Sequence, residues 1–208
     1  MTIKEAYNNW ASQYDTNKNR TRDLEGLALR TVLKHLSFTN CLEMGCGTGK
    51  NTGWLAQHAA HVTAVDFSEN MLQRAKASIT AYNVTFIQAD ITENRSFSAQ
   101  PFDLITFSLV LEHMAQLSPI LKQATESLLP GGLLYIGELH PFKQYTGTKA
   151  RFETATGRQE VPCFTHHISE FVQAGKQAGL EVQDVQEYFD ADDKTGIPRI
   201  LALLFRKP

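Results

Sequence analysis

The sequence predicts an α/β fold built on a doubly wound, mostly parallel sheet. Short apolar runs that read as buried strands alternate with stretches at helical spacing along most of the chain. A glycine-rich loop, "MGCGTGK", follows the first apolar run, as a strand-to-helix turn does. The last two apolar runs are joined by "DADDKTGIP", too short for a crossover helix, so these two strands should be antiparallel to each other. With 208 residues, 42% hydrophobic and 20% charged, the chain is long enough for one domain, 1–208, around a single sizeable core.

Each element follows from local pattern. Leu29, Val32, Leu33 and Leu36 sit at helical spacing, and "NCLEMG" is a short buried strand. Past the glycine loop, Trp54 and Leu55 lie on a short helix and "HVTAVD" reads as a strand. Ser68 then caps a helix carrying Met71, Leu72, Ala75 and Ile79. "VTFIQAD" and "FDLITFS" are further strands. Ser118 followed by Pro119 marks a helix start, and "PGG" at 130–132 is a turn before the strand "LLYIGE". Ser169 caps a helix ending near Gly179. "LEVQDVQEYF" alternates like a strand, and "RILALLFRK" is the last strand.

Two segments stand apart. Residues 139–164 are polar and broken by glycines, too long for a simple connection, and read as an insertion. In "AYNNWASQYD", Tyr7, Trp10 and Tyr14 fall at spacing 3 and 4 and form one aromatic helix face.

A net charge of −2, no run of Lys and Arg, and no apolar stretch near eighteen residues leave neither nucleic acid nor bilayer as an expected partner. The opening "MTIKEAYNNW" lacks the apolar segment of a signal peptide. The three cysteines, Cys41, Cys46 and Cys163, include no CxxC pair, which fits a reducing, cytoplasmic setting. Oligomeric state is not legible.

The glycine loop can be tested against its ligands. A P-loop needs a glycine where Met44 stands and a Ser or Thr where Asn51 stands, so that reading fails twice. A dinucleotide fingerprint would place a third glycine at Lys50, which weakens that reading. The actual spacing is Glu43-x-Gly45-x-Gly47-x-Gly49, and an acid beside the turn suits a cationic ligand.

At this point the chain resembles the class I S-adenosylmethionine-dependent methyltransferases along nearly its whole length. "LEMGCGTGKNT" is similar to the family's cofactor loop, "VTAVDFSENML" to its second motif and "QADI" to its third. "FDLITFSLVLEHM" is similar to the fourth, and "LLPGGLLYIGE" to the motif after it. The resemblance implies a Rossmann-like, seven-stranded sheet with an antiparallel last strand. S-adenosyl-L-methionine is the implied cofactor, covered by N-terminal helices within 1–36. It also assigns sites: Gly45, Cys46, Gly47, Thr48, Gly49 and Asn51 in the loop, with Glu43 near the cofactor's amino-acid end. Asp66, about 20 residues past Gly45, is placed to accept both ribose hydroxyls. Asp90 resembles the residue that accepts from the adenine amino group, with Phe67, Met71 and Ile91 around the ring. Ser108, Leu109 and His113 line the reactive side, and Tyr14 and Arg22 reach toward the methionine carboxylate.

A sulfonium methyl needs no nucleophilic side chain, only alignment and, for a protonated acceptor, a general base. Histidine is the usual base near neutral pH. His140, directly after the fifth strand, ranks first, with His113 behind it. Adjacent His166 and His167 point in different directions, so no metal is expected. The absence of an Asn-Pro-Pro-aromatic signature after the fourth strand, where "SLVL" stands, argues against a nucleic-acid base as acceptor. A small molecule is the expected acceptor. Lys143, Lys149, Arg151 and Arg158 outnumber Glu153 and Glu160 in the insertion, so this segment is expected to cap a small, anionic, partly apolar acceptor. Tyr7, Glu138, His140, Tyr145, Arg151 and His166 are its expected contacts. Two other readings stay open at this level: an NAD-dependent dehydrogenase and a non-catalytic S-adenosylmethionine-binding module.

Overall fold

The computed structural model describes residues 2–16, 18–93, 97–154, 157–191 and 194–208. In chain order its elements are α1 (Ile3–Trp10), α2 (Arg20–Leu33), β1 (Asn40–Met44), α3 (Thr52–His58), β2 (His61–Asp66), α4 (Glu69–Ser78), β3 (Val84–Gln88) and β4 (Phe102–Ser108). A 3₁₀ turn (Leu111–His113) follows, then α5 (Leu117–Glu126), β5 (Leu128–Leu139), α6 (Pro141–Tyr145), β6 (Arg151–Thr154), β7 (Gly157–Glu160), α7 (Ile168–Gln177), β8 (Glu181–Tyr188) and β9 (Ile200–Arg206).

Seven strands form one sheet in the order β3-β2-β1-β4-β5-β9-β8. The pairs from β3 through β5 are parallel, whereas β9 runs antiparallel to both β5 and β8. Side chains alternate across the sheet, as strand geometry requires. Leu42, Ile105, Phe107, Leu134, Ile136, Leu203 and Phe205 face α5 and α7. Their neighbours Cys41, Leu104, Leu133, Tyr135 and Ala202 face Ala28, Leu29 and Leu33 of α2 and Leu55 of α3. Both faces are therefore covered, which is why these strands read as nearly continuous apolar runs. Each fully buried Leu, Ile or Phe contributes roughly 1.5–3 kcal/mol of transfer free energy.

Several element edges differ from the sequence reading. The first residue of α5 is Leu117, and Ser118 lies inside the helix, its hydroxyl donating to Gln177 Oε1. The N-cap of α7 is His167, whose backbone N–H is taken by the Glu170 carboxylate at 2.6 Å, so Ser169 is not the cap. The "PGG" segment is a bulge within β5 rather than a turn before it: Phe102 pairs with Leu128 and Leu104 already with Leu133. The insertion carries structure of its own, α6 and the β6–β7 hairpin. Helix α1 stops at Trp10, so Tyr14 lies in the following turn. Its ring still packs edge-on against Trp10 at 4.9 Å. The Thr2–Glu5 capping box starts α1, and the Asn8 side chain accepts from the Ser68 hydroxyl at 2.6 Å, fastening α1 over the head of α4.

Gly137 shows how tightly β5 is built. A Cβ there would stand 2.5 Å from Tyr135 Oη and 2.6 Å from Glu25 Oε1, inside a buried hydrogen-bonded pair. Gly137→Ala should therefore destabilise the protein by about 1–3 kcal/mol through overpacking. A thermal melt with an unchanged midpoint would contradict this packing.

Candidate functional site

All parallel strands end at the same edge of the sheet, and the site is assembled there from the turns that leave them. After β1 the chain reverses at Gly45 and Gly47, with φ of +75° and +55°. The amides of Gly45 and Cys46 both donate to the Val65 carbonyl, at 2.8 and 2.9 Å. A Cβ on Gly45 would strike Val110 at 2.7 Å, whereas one on Gly47 would meet no protein atom within 4 Å. Gly47 thus faces an open cradle that a side chain would fill.

Asp66, at the end of β2, joins this loop to the next one. Its Oδ2 accepts from the Gly47 amide and its Oδ1 from the Ser68 amide, both at 2.8 Å. Burial pushes its pKa up to about 6, against the pull of these amide hydrogen bonds. The cleft beside it is lined by Gly45, Gly47, Asp66, Phe67, Met71, Asp90, Ile91, Ser108, Leu109 and His113, with Tyr7 and Tyr14 from the N-terminal segment. A carboxylate among backbone amides, an empty cradle at Gly47, and a second acid beside an apolar slot of Phe67, Met71 and Ile91 match what a nucleoside-bearing cofactor requires.

A second cavity of ≈ 440 Å³ adjoins the first, sharing Tyr7, Tyr14 and Leu109 with it. Five cations, Lys18, Arg20, Lys149, Arg151 and Arg199, stand around it, and Glu112 is the acid in its lining. Arg199 is held in a fork by Asp190, and Lys149 lies 3.6 Å from Glu160. Lys18, Arg20 and Arg151 make no ion pair among the described residues. Leu109, on the partition between the cavities, has φ of 56°, a conformation uncommon for a residue with a Cβ and frequent at ligand sites.

His113 is 6% exposed and lines the cofactor cleft. Its Nδ1 stands 2.9 Å from the Pro162 carbonyl and its Nε2 2.7 Å from the Tyr7 hydroxyl. Burial lowers its pKa below the ordinary histidine value, which keeps the ring neutral near pH 7.

Other expected contacts lie elsewhere. His140 is fully buried, and both its ring nitrogens are engaged: Nδ1 accepts from the Phe142 amide at 3.1 Å, and Nε2 faces Glu187 Oε1 at 2.9 Å. It caps α6 and lines neither cavity, away from the cleft edge at which a base was expected. Glu138 accepts from the Val110 and Leu111 amides at 2.9 and 2.8 Å, so it braces the turn after β4 from beneath. His166 Nε2 is bonded to the Met114 carbonyl, and exposed Tyr145 to His167. Neither faces the second cavity. Glu43 accepts from the Thr52 hydroxyl at 2.5 Å behind the loop and lines neither cavity, and burial pushes its pKa up to about 8. Asn51 donates to Glu25, Thr48 to Asp15, and Cys46 packs against Leu72. Gly49 backs onto Ile79 and Ala75. Arg22 bonds the Tyr14 carbonyl and lies 5.4 Å from the Tyr14 ring centroid, so it positions Tyr14 rather than meeting the cleft.

Sequence reasoning missed Ile3, Ala89, Thr92, Val110 and Met114 in the cleft and Glu112, Lys18, Arg20 and Arg199 in the second cavity. Glu112 was signalled by its place beside His113. The cations carried no local signal. Glu112, His113 and Cys163 do bring three metal-type donors within 4.8 Å of one another, but the imidazole has both nitrogens committed to Tyr7 and Pro162. No described helix is long and apolar enough to cross a membrane.

Asp66 must be ionised to accept two hydroxyls, so cofactor affinity should fall as pH drops below about 6, while Asp66→Asn should bind about ten- to a hundredfold more weakly with a flat pH response. Calorimetry with S-adenosylhomocysteine between pH 5 and 8 checks both. Gly47→Val should abolish that binding, because its Cβ enters the cradle where no protein atom stands within 4 Å, and the melt should stay cooperative at a lower midpoint, since a β-branched residue is strained at φ of +55°.

Residues 42–136 match the model of the methyltransferase domain family. The ubiquinone biosynthesis O-methyltransferase of Coxiella burnetii is 33% identical over 162 residues, which cover 72% of this chain and 67% of that protein. Among solved structures, the N-methyltransferase NodS of Bradyrhizobium japonicum in complex with S-adenosyl-L-homocysteine superposes with a TM-score of 0.72 at 20% identity, covering 100% of both chains. An S-adenosylmethionine-dependent methyltransferase of Mesorhizobium loti does so with a TM-score of 0.70 at 22% identity, covering 87% of this chain and 96% of that one. With this sequence kinship, this sheet order and this cleft, the chain belongs to the class I S-adenosylmethionine-dependent methyltransferases, and its cofactor is S-adenosyl-L-methionine.

Proposed function

We propose that the protein methylates a small, anionic acceptor seated in the second cavity, with residues 1–36 and the insertion 139–164 closing over the two cavities. The observation that carries this reading is the ring of Lys18, Arg20, Lys149, Arg151 and Arg199 around a cavity that meets the cofactor cleft at Tyr7, Tyr14 and Leu109. In a chain of net charge −2 such a cationic cluster is a local choice, and it raises the local concentration of an anion. The Coxiella relative is named for ubiquinone biosynthesis, which supports a small-molecule acceptor.

The bound cofactor supplies a methyl group activated by its sulfonium, which transfers by in-line displacement. The protein's part is placement. Arg151 offers a planar fork for two oxygens of a carboxylate or phosphate, and Tyr7, Tyr14 and Leu109 set the partition across which the acceptor atom must reach. His113 is the base candidate within the site. Lys50 argues against the dinucleotide reading. Its side chain turns to α2, with Nζ on the Arg22 carbonyl and 3.3 Å from Asp23, and fills the space beside Gly26. In a dinucleotide fold a third glycine would stand there for close helix packing.

The acceptor can be found by incubating the protein with methyl-labelled S-adenosylmethionine and a metabolite extract, then identifying the labelled product. The expected product derives from a carboxylate or phosphate. Arg151→Ala should raise the KM for that acceptor about ten- to a hundredfold, roughly 1.5–3 kcal/mol, with cofactor affinity unchanged. A neutral or cationic acceptor would remove the anion reading and leave the methyltransferase assignment standing.

A further inference from the structure

The geometry points to Tyr7 as the catalytic residue that meets the acceptor, passing the acceptor's proton to His113. This rests on the proposed acceptor cavity, since Tyr7 is one of three residues that line both cavities.

The Pro162 carbonyl can only accept, so His113 Nδ1, 2.9 Å away, must carry the ring proton. A neutral imidazole then has its lone pair on Nε2, and the hydroxyl 2.7 Å from it must donate. The Tyr7 O–H is therefore aimed at a basic nitrogen, and its oxygen keeps lone pairs free to accept. Of the hydrogen-bonded pair, His113 lines only the cofactor cleft and Tyr7 lines both cavities, so Tyr7 is the member that an acceptor in the second cavity can meet. Consecutive residues of one 3₁₀ turn divide the work: Glu112 faces the second cavity and His113 the first.

The step balances. The acceptor's X–H bond breaks as its electron pair forms the new X–CH₃ bond, and the methyl–sulfur pair stays on the departing sulfur. The acceptor's proton goes to the Tyr7 oxygen while the Tyr7 proton goes to His113 Nε2. His113 then holds a positive charge in a buried place, and Glu112 Oε1 stands 3.9 Å from the nitrogen that gained the proton, with both side chains under 8% exposed. Glu112 is thus a positioning residue for the imidazolium. The titratable groups facing this pair are Tyr14, Asp66, Glu112 and Cys163, whose Sγ lies 3.9 Å from Nδ1. Burial raises the Tyr7 pKa and lowers that of His113, which keeps the phenol protonated and the imidazole neutral before reaction.

Nitrogen-15 NMR of histidine-labelled protein reads the tautomer without any acceptor. The expected spectrum has His113 protonated on Nδ1 alone at pH 7, and Tyr7→Phe should shift its Nε2 resonance as the hydrogen bond is lost. With the acceptor identified from the labelled extract, Tyr7→Phe should lower kcat about a hundredfold or more. Its affinity for S-adenosylhomocysteine should stay within about threefold of wild type, since the ring remains. Wild-type kcat should rise with pH through a value below the ordinary histidine pKa, and the Tyr7→Phe profile should lose that limb. A proton on Nε2, or a Tyr7→Phe enzyme with wild-type kcat, would overturn the relay whatever the acceptor's charge. An uncharged acceptor with a normal relay signature would overturn only the anion reading, and wild-type protein that labels nothing would overturn both. If Tyr7→Phe fails to fold, the wild-type tautomer alone decides, and Nε2–H refutes the relay.

Discussion

The two backbone amides that donate to Asp66, one from each side of it, set where everything else in the site can lie. The Gly47 amide comes from the loop after β1 and the Ser68 amide from the cap of α4, so one carboxylate locks two motif loops into register. That register points the Gly47 Cα face at open space and presents Asp66 to the same space. Hydrogen bonds from amides offset part of the cost of burying the charge, and the remaining cost shows as a pKa near 6.

A layer of buried acids behind the cleft supports this arrangement. Glu25 accepts from Asn51 and Tyr135, Asn51 also reaches Ser108, and Glu43 holds Thr52, so α2, the glycine loop, β4 and β5 are bound into one buried network. Glu138 completes it by holding the amides of Val110 and Leu111. Burial is the first cause of the raised pKa in each of these acids, up to about 8 in Glu43 and Glu138. They act mainly as hydrogen-bonding struts. The turn braced by Glu138 carries Leu109, Glu112 and His113, which line the cavities.

The N-terminal segment ties both cavities to the fold. Asn8 fastens α1 to Ser68 and Asn70, while Trp10 and Ala6 pack on Val161 from the insertion. Tyr7 and Tyr14 are placed between these anchors, and Arg22 pins Tyr14 through its carbonyl and its ring.

Much of the fold was legible in the sequence because strand and helix periods are local. The alternating runs located all seven strands of the main sheet, and the short "DADDKTGIP" connection foretold the antiparallel pair. Edges were less legible: Ser118 and Ser169 are good caps in isolation, but Gln116 and His167 occupy those places because packing of α5 and α7 set where the helices begin. Residues tied to a strand end, such as Gly47, Asp66 and Asp90, could be placed at the cleft from sequence because the parallel sheet fixes their edge. The second cavity was not legible, apart from Tyr7 and Arg151, since Lys18, Arg20, Glu112, Lys149 and Arg199 come from four separate segments and meet only in three dimensions. The same holds for roles. Sequence alone made Glu43, Glu138, His140 and His166 look like ligand contacts, each being a polar residue near a strand end or loop. Only the tertiary structure decided that they are buried and already bonded, whereas Tyr7 and His113, 106 residues apart, are hydrogen-bonded. Periodicity and spacing are local properties that a chain displays before it folds, but the environment that gives a side chain its partner and its pKa exists only after distant segments have packed.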